Sequence, residues 1–153
     1  ALSIPASLYI HFVRRHRIRD RLLAIADRRQ FLQQTFLFGE KVAHVRLYQL
    51  AMSIEEEILP AGLVIDREAS ATLYLIVDGK VRRYRGDILI AEHGSGDYFR
   101  EISAVFRLPT PYRFEIVAPT RVYKIPGGEV ADMPIVRWKL LEQRKRMDRQ
   151  AQG

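Results

Sequence analysis

The period of the apolar pattern changes twice along the chain. Over residues 7–35, Ile18, Leu22 and Ile25 recur at helical spacing, as do Leu32 and Phe36, and Ser7 is placed to cap the helix start. Ala43, Leu47, Leu50, Ala51 and Ile54 then form one stripe of a second helix, expected to end near Glu55-Glu56-Glu57. After the turn signal Pro60-Ala61-Gly62 the period becomes that of strands. Leu63–Ile65, Leu73–Val77, Val81–Arg85, Ile88–Ile90, Tyr98–Phe99, Phe114–Val117 and Val122–Ile125 read as short extended runs. Asp78-Gly79 predicts a two-residue hairpin, because both positions tolerate positive φ, and Gly86-Asp87 predicts another turn. About eight short strands at this spacing predict a sandwich, barrel or jelly roll. Gly127-Gly128 ends the strands, and Pro134 opens a last helix running to about Gln150. This helix is expected to present Ile135, Trp138, Leu141 and Met147.

Composition changes this picture little. The 153 residues, with 48% hydrophobic and 28% charged, suffice for one domain with a buried core. No apolar run reaches the ~18 residues of a membrane span, and no signal peptide is expected, which points to a cytoplasmic protein. The absence of cysteine excludes disulfides and thiolate metal sites. Histidines 11, 16, 44 and 93 show no metal-ligand spacing, and no nucleophile–base–acid set appears, so no enzyme is expected.

Charge divides the chain more sharply. Residues 1–35 carry seven arginines against two aspartates, and residues 132–153 six basic residues against three acids. The middle, 36–131, is nearly neutral, with twelve basic and thirteen acidic residues. Basic ends suit an acidic partner, a nucleic acid or an anionic membrane surface, or simply form solvated helix faces.

Candidate chemistry gathers at residues 97–126. A short strand leads into a helical turn opened by Glu101, with arginines at 100, 107 and 113. A helix start with unpaired N–H groups and nearby arginines is suited to an anion.

Four segments carry a family resemblance. Leu73-Tyr74-Leu75-Ile76-Val77-Asp78-Gly79-Lys80-Val81 resembles the hairpin of cyclic nucleotide-binding domains, the regulatory modules of protein kinase A regulatory subunits, cyclic nucleotide-gated channels and catabolite-activator-type regulators. Pro60–Ile65 is similar to the family's Pro-x-Gly-x-x-Ile turn and strand. Asp97–Ser103 looks like its phosphate-binding cassette, and Ile116-Val117-Ala118 with Val122–Ile125 like the strands after it. The resemblance implies a mainly β fold with flanking helices. It would be an eight-stranded antiparallel β-roll (a double-stranded β-helix or jelly roll), with N-terminal helices and a C-terminal lid helix. It divides the chain into a basic helical segment, 1–35, and a cyclic nucleotide-binding-like domain, 36–150. The domain comprises helix 36–54, roll 55–126 and C-terminal helices 127–150.

The resemblance further implies no tightly bound cofactor and cyclic AMP or cyclic GMP as a regulatory ligand. Glu101 would take the ribose, Ile102 and Ser103 would offer backbone N–H groups to the phosphate, and Trp138 would cap the base. Binding would favour the docked state of the last helix, which a homodimer, a fused output domain or a partner would read. Two departures matter. Arg100 stands where the family has glycine, and the family's phosphate-binding arginine falls at Tyr112, with Arg113 one residue late. A one-residue shift in a strand turns a side chain to the other face, unless a bulge restores it. The alternative reading is therefore a pocket that binds no nucleotide, in a domain serving structural, dimerisation or partner contacts through its basic helices. DNA binding is not expected, since too few residues follow Trp138 for a helix-turn-helix.

Overall fold

In a computed structural model that describes residues 6–39, 42–66 and 71–152, a long helix α1 (Ala6–Gln34) and a shorter α2 (His44–Ser53) precede the strands. The chain continues through β1 (Glu55–Leu59), β2 (Val64–Ile65), β3 (Thr72–Arg85), β4 (Ile88–His93), β5 (Tyr98–Phe99), α3 (Glu101–Phe106), β6 (Arg113–Pro126), α4 (Gly127–Ala131) and α5 (Pro134–Gln152). Pro134 is the first residue of α5, as its fixed φ and missing N–H favour. Ser7 lies inside α1, which begins one residue earlier.

The expected eight-stranded closed roll is not what the chain forms. The described residues form one six-stranded antiparallel sheet, ordered β1-β6-β3-β4, with β2 also pairing β6 and β5 pairing β3. The path has two ends and does not close into a barrel or roll. Fewer strands result because pairs of expected runs are fused. Leu73–Val77 and Val81–Arg85 belong to one 14-residue strand, β3, and Phe114–Val117 and Val122–Ile125 to one 14-residue strand, β6.

Asp78-Gly79 is accordingly not a hairpin. The strand passes through it as a bulged segment, with register shifts against β6 between Ile76 and Val81. Gly79 takes φ of 127° there, and a Cβ on it would lie 2.6 Å from the Thr120 Cα. Glycine is needed because the two backbones approach too closely for a side chain. Gly86-Asp87 is the true turn, joining β3 to β4 with Gly86 at φ 61°. The three glutamates expected to end α2 instead begin β1, opposite Lys124, Tyr123 and Val122 of β6. Glu56 pairs with Arg121 at 2.7 Å and Glu57 with Lys124 at 3.1 Å, so cross-strand charge holds an edge of polar sequence in the sheet.

The core falls into two clusters. In one, Leu73 and Leu75 pack with Ile25, Leu32, Leu47 and Leu50 of the N-terminal helices and with Val136 and Leu140 of α5. In the other, Ile76 and Val81, on either side of the bulge, join Phe99, Ile102, Phe114 and Ile116. That second cluster surrounds the candidate site.

Candidate functional site

The Gly94–Asp97 loop and β5 deliver the chain to α3. Asp97 accepts a hydrogen bond from the Gly94 N–H at 3.0 Å, and Asp97 N–H donates to the Gly94 carbonyl at 3.1 Å. His93 Nδ1 lies 3.7 Å from the Asp97 carboxylate. The neighbouring His93 imidazole holds the Asp97 carboxyl below its usual range, with a smaller contribution from the Gly94 N–H. At the end of β5 the backbone reverses through Arg100, which caps α3 in the left-handed region at φ 67°. Glycine enters that region freely and arginine does so with strain, about 1–2 kcal/mol for an L-residue. The Arg100 guanidinium is carried back over the Tyr74 ring, 5.6 Å from its centroid.

Glu101 is the first residue of α3 and is buried. Its partner is Arg83 of β3, a residue the sequence analysis does not single out. Arg83 Nη1 donates to Glu101 Oε1 at 2.8 Å and Nη2 donates to Oε2 at 3.0 Å. Both side chains are almost wholly enclosed, at 1% and 2% exposure. Such a two-pronged pair matches the planar fork of arginine to both carboxylate oxygens. The guanidinium is sandwiched between Tyr112, at 4.9 Å, and Phe114, at 5.0 Å from the ring centroids. Met147 of α5 closes the remaining side, its sulfur 3.2 Å from Arg83 Nη1. The last helix therefore does lie over the pocket, through Met147.

The expected site residues fall into two groups. Glu101, Ile102, Ser103 and Tyr112 are buried around this pair. Arg113 and Trp138 are elsewhere. Arg113 pairs in register with Tyr84 and stacks on its ring at 5.0 Å, while the next residue, Phe114, pairs with Arg83. Arg113 thus occupies the opposite face of the sheet, where it lines a shallow cleft of ≈ 330 Å³ with Asp66, Gly86 and Pro111. No bulge restores it, since the register is unbroken from Val81 to Tyr84. Trp138 is 58% exposed. At 100° per residue, Val136, Leu140 and Met147 share one side of α5 and Trp138 projects from the other. Val136 and Leu140 are buried, whereas Trp138 and Leu141 are exposed, so of the residues expected to pack Met147 lies on the packed side, and Trp138 and Leu141 lie on the opposite one.

The only sequence hint of Arg83 is its place two residues after Val81, on the same side of a strand; that it faces the apolar Phe114 is seen only in the paired strands. A further anchor fixes α5: Lys139 Nζ donates to the Phe36 carbonyl at 2.6 Å and sits 4.9 Å from the Phe36 ring. Among the described residues no group of three or more His, Asp or Glu is placed to hold a metal.

Comparison with known proteins locates this architecture. No family model matches the sequence, and no curated protein matches it. Solved structures do. The cAMP complex of the Toxoplasma gondii protein kinase A regulatory domain superposes with a TM-score of 0.69 at 14% identity, over 81% of this chain and 50% of that one. The guanosine-bound regulatory subunit of a cAMP-independent protein kinase A from Trypanosoma cruzi gives 0.67 at 20% identity, over 78% and 45%. The catabolite activator protein of Thermus thermophilus gives 0.62 at 22% identity, over 76% and 59%. The chain thus spans about half the length of these proteins. It has the fold of the cyclic nucleotide-binding domains.

Proposed function

We propose that this chain is a regulatory-type domain whose pocket is filled by its own Arg83, and that it serves as a structural and partner-interaction module without binding cyclic AMP or cyclic GMP. The buried Arg83–Glu101 pair carries this reading. A cyclic nucleotide would bring a ribose hydroxyl for a carboxylate and a phosphate anion for a cation. Both Glu101 oxygens already accept from Arg83. The position aligned with the phosphate-binding arginine is Tyr112, and Arg113 faces away. The positive charge of Arg83 is matched by Glu101. Breaking a buried pair costs about 3–5 kcal/mol, or roughly two to four decades of affinity.

The named neighbours support a variable ligand on this fold, since one is bound to cAMP and another is called cAMP-independent and holds guanosine. In this chain the mechanism would differ from a switch. Met147 on Arg83 and Lys139 on the Phe36 carbonyl hold α5 docked without a ligand. Residues 1–35 and α5, the basic ends, would make the partner contacts, and 36–150 the folded domain, in a cytoplasmic setting.

Isothermal calorimetry and thermal melting with cyclic AMP and cyclic GMP test the reading. No heat and no shift of the melting temperature at millimolar nucleotide are expected. Micromolar binding that Glu101→Ala abolishes would instead establish the sensor reading.

A further inference from the structure

Helix α2 is apolar on two sides. Leu47, Leu50 and Ala51 are buried in the first core cluster. Val45, Tyr48 and Met52 recur at helical spacing on another side and are exposed at 71%, 38% and 49%. A helix packed on one side only ordinarily carries polar residues on the rest. The exposed stripe borders an open groove of ≈ 530 Å³ between α1 and α2, lined by Ala26, Arg29, His44, Val45, Tyr48 and Gln49.

The charge around this groove has one sign. No acidic residue lines it. Arg29 forms no ion pair among the described residues. On α1, Arg15, Arg19, Leu22, Ala26 and Arg29 recur at spacings of four and three, so they share one side of the helix. Helix α2 starts at the groove, with His44 and Val45. Its N-cap, Ala43, has no side-chain oxygen for the first-turn N–H groups, and no acid stands in that turn. The positive end of the helix dipole therefore has no counter-charge within α2.

Apolar walls bordered by positive charge suit an apolar ligand edged with carboxylates. A second copy of the chain is a poor occupant, because its acidic run, Glu55 to Glu57, is held in the sheet by Arg121 and Lys124. Nucleic acid would satisfy Arg29 and leave Val45 and Tyr48 against phosphate and sugar. A bilayer surface is flat, whereas the groove is concave. Neither wall offers a strand edge, so an extended peptide would leave its backbone groups unpartnered, and a helix satisfies its own.

We propose that the groove between α1 and α2 receives an acidic amphipathic helix of a partner protein. The apolar stripe of that helix lies on Ala26, Val45 and Tyr48, and its carboxylates face Arg29 and the first turn of α2. This deepens the partner-contact part of the proposed function and rests on that part alone. It does not depend on the state of the nucleotide pocket, so calorimetry with cyclic nucleotide and titration with a helical peptide fail separately.

An NMR titration of the isotope-labelled full chain with designed helical peptides of about 18 residues tests it. One peptide carries leucine at i, i+3, i+4 and i+7 with glutamate on either side of that stripe, and its counterpart has lysine for every glutamate. The glutamate peptide should bind at least about tenfold tighter than the lysine peptide, and the difference should shrink as salt is raised. The shifted amides should centre on Ala26, Arg29 and residues 44–49. The variant V45S/Y48S should bind the glutamate peptide at least about tenfold less tightly. Its melting temperature should change little, because both side chains are exposed. The variant R29E/H44E should reverse the preference between the two peptides. Equal binding of the two peptides, no binding of either, or shifts centred elsewhere would overturn the proposal. The same shifts on adding duplex DNA or phosphatidylserine vesicles, or self-association that V45S/Y48S abolishes, would assign the groove to another occupant and overturn it as well.

Discussion

Arg83 decides the chemistry of the pocket. Its guanidinium and the Glu101 carboxylate are each removed from water at a penalty of several kcal/mol, and each is the other's charged partner. Removing one partner should therefore be far worse than removing both. Arg83→Met should destabilise the domain by about 3–5 kcal/mol in urea unfolding, and Glu101→Leu by a similar amount. The double variant should recover most of that loss, since the cavity is otherwise lined by Tyr112 and Phe114; additive losses would show that the two groups are not coupled. Asp97 supplies a pH-dependent contribution. Its carboxyl is held low by His93, so its stabilisation is complete above the unfolded value of about 3.9 and is lost as pH falls through the folded value. Asp97→Asn should flatten the acid limb of melting temperature against pH, and an unchanged limb would remove Asp97 from the account. Glu101 at the head of α3 was legible in the sequence; the facing of Arg113 was left open there, because parity turns it away only if no bulge intervenes, and the unbroken register is seen only in the sheet. The partner of Glu101 was not legible, because an arginine on a strand reads as solvent-facing unless the opposing strand is known to present phenylalanine.

Helices were the most legible elements, since stripes such as Leu47, Leu50 and Ala51 leave little choice of face. The long strands were not. Asp78-Gly79 has the composition of a hairpin, and only the close backbone of Thr120 distinguishes a bulge from a turn. Gly79→Ala is therefore expected to destabilise the domain by at least about 2 kcal/mol, through backbone crowding and the positive φ together. A merely flexible hairpin glycine would respond with less than about 1 kcal/mol, which calorimetric melting distinguishes. Strand β1 was hidden for a different reason. Three consecutive glutamates have no strand propensity, and their place in the sheet depends on Lys124 and Arg121 across the ladder.

For the molecule as a whole, sequence order was enough to find the family resemblance, but the closed eight-stranded roll expected from it is not how the sheet is joined. Closure depends on which segments pair, and short apolar runs look alike whether they are separate strands or halves of one. The pocket can be tested at this scale by rebuilding it. The triple variant R83V/Y112R/R100G frees Glu101, places a cation on the inward face and relieves the left-handed cap. It should acquire cyclic AMP binding, seen as about 2.7 kcal/mol of added stability at a hundredfold excess over the dissociation constant. A variant that folds and shows no nucleotide-dependent stabilisation would mean that the block lies beyond these three side chains.

The bidentate pair has one more consequence. Arg83 is tethered to the same chain as Glu101, so it acts as an intramolecular occupant at a fixed effective concentration that the surroundings cannot dilute. A sensor's occupancy follows the level of a free messenger; on the reading proposed above, the occupancy of this pocket would not. Through Met147 the docked state of α5 would then be a constant of the protein. Its contribution in a cell would be set by how much of the chain is made, insulated from fluctuations in cyclic nucleotide.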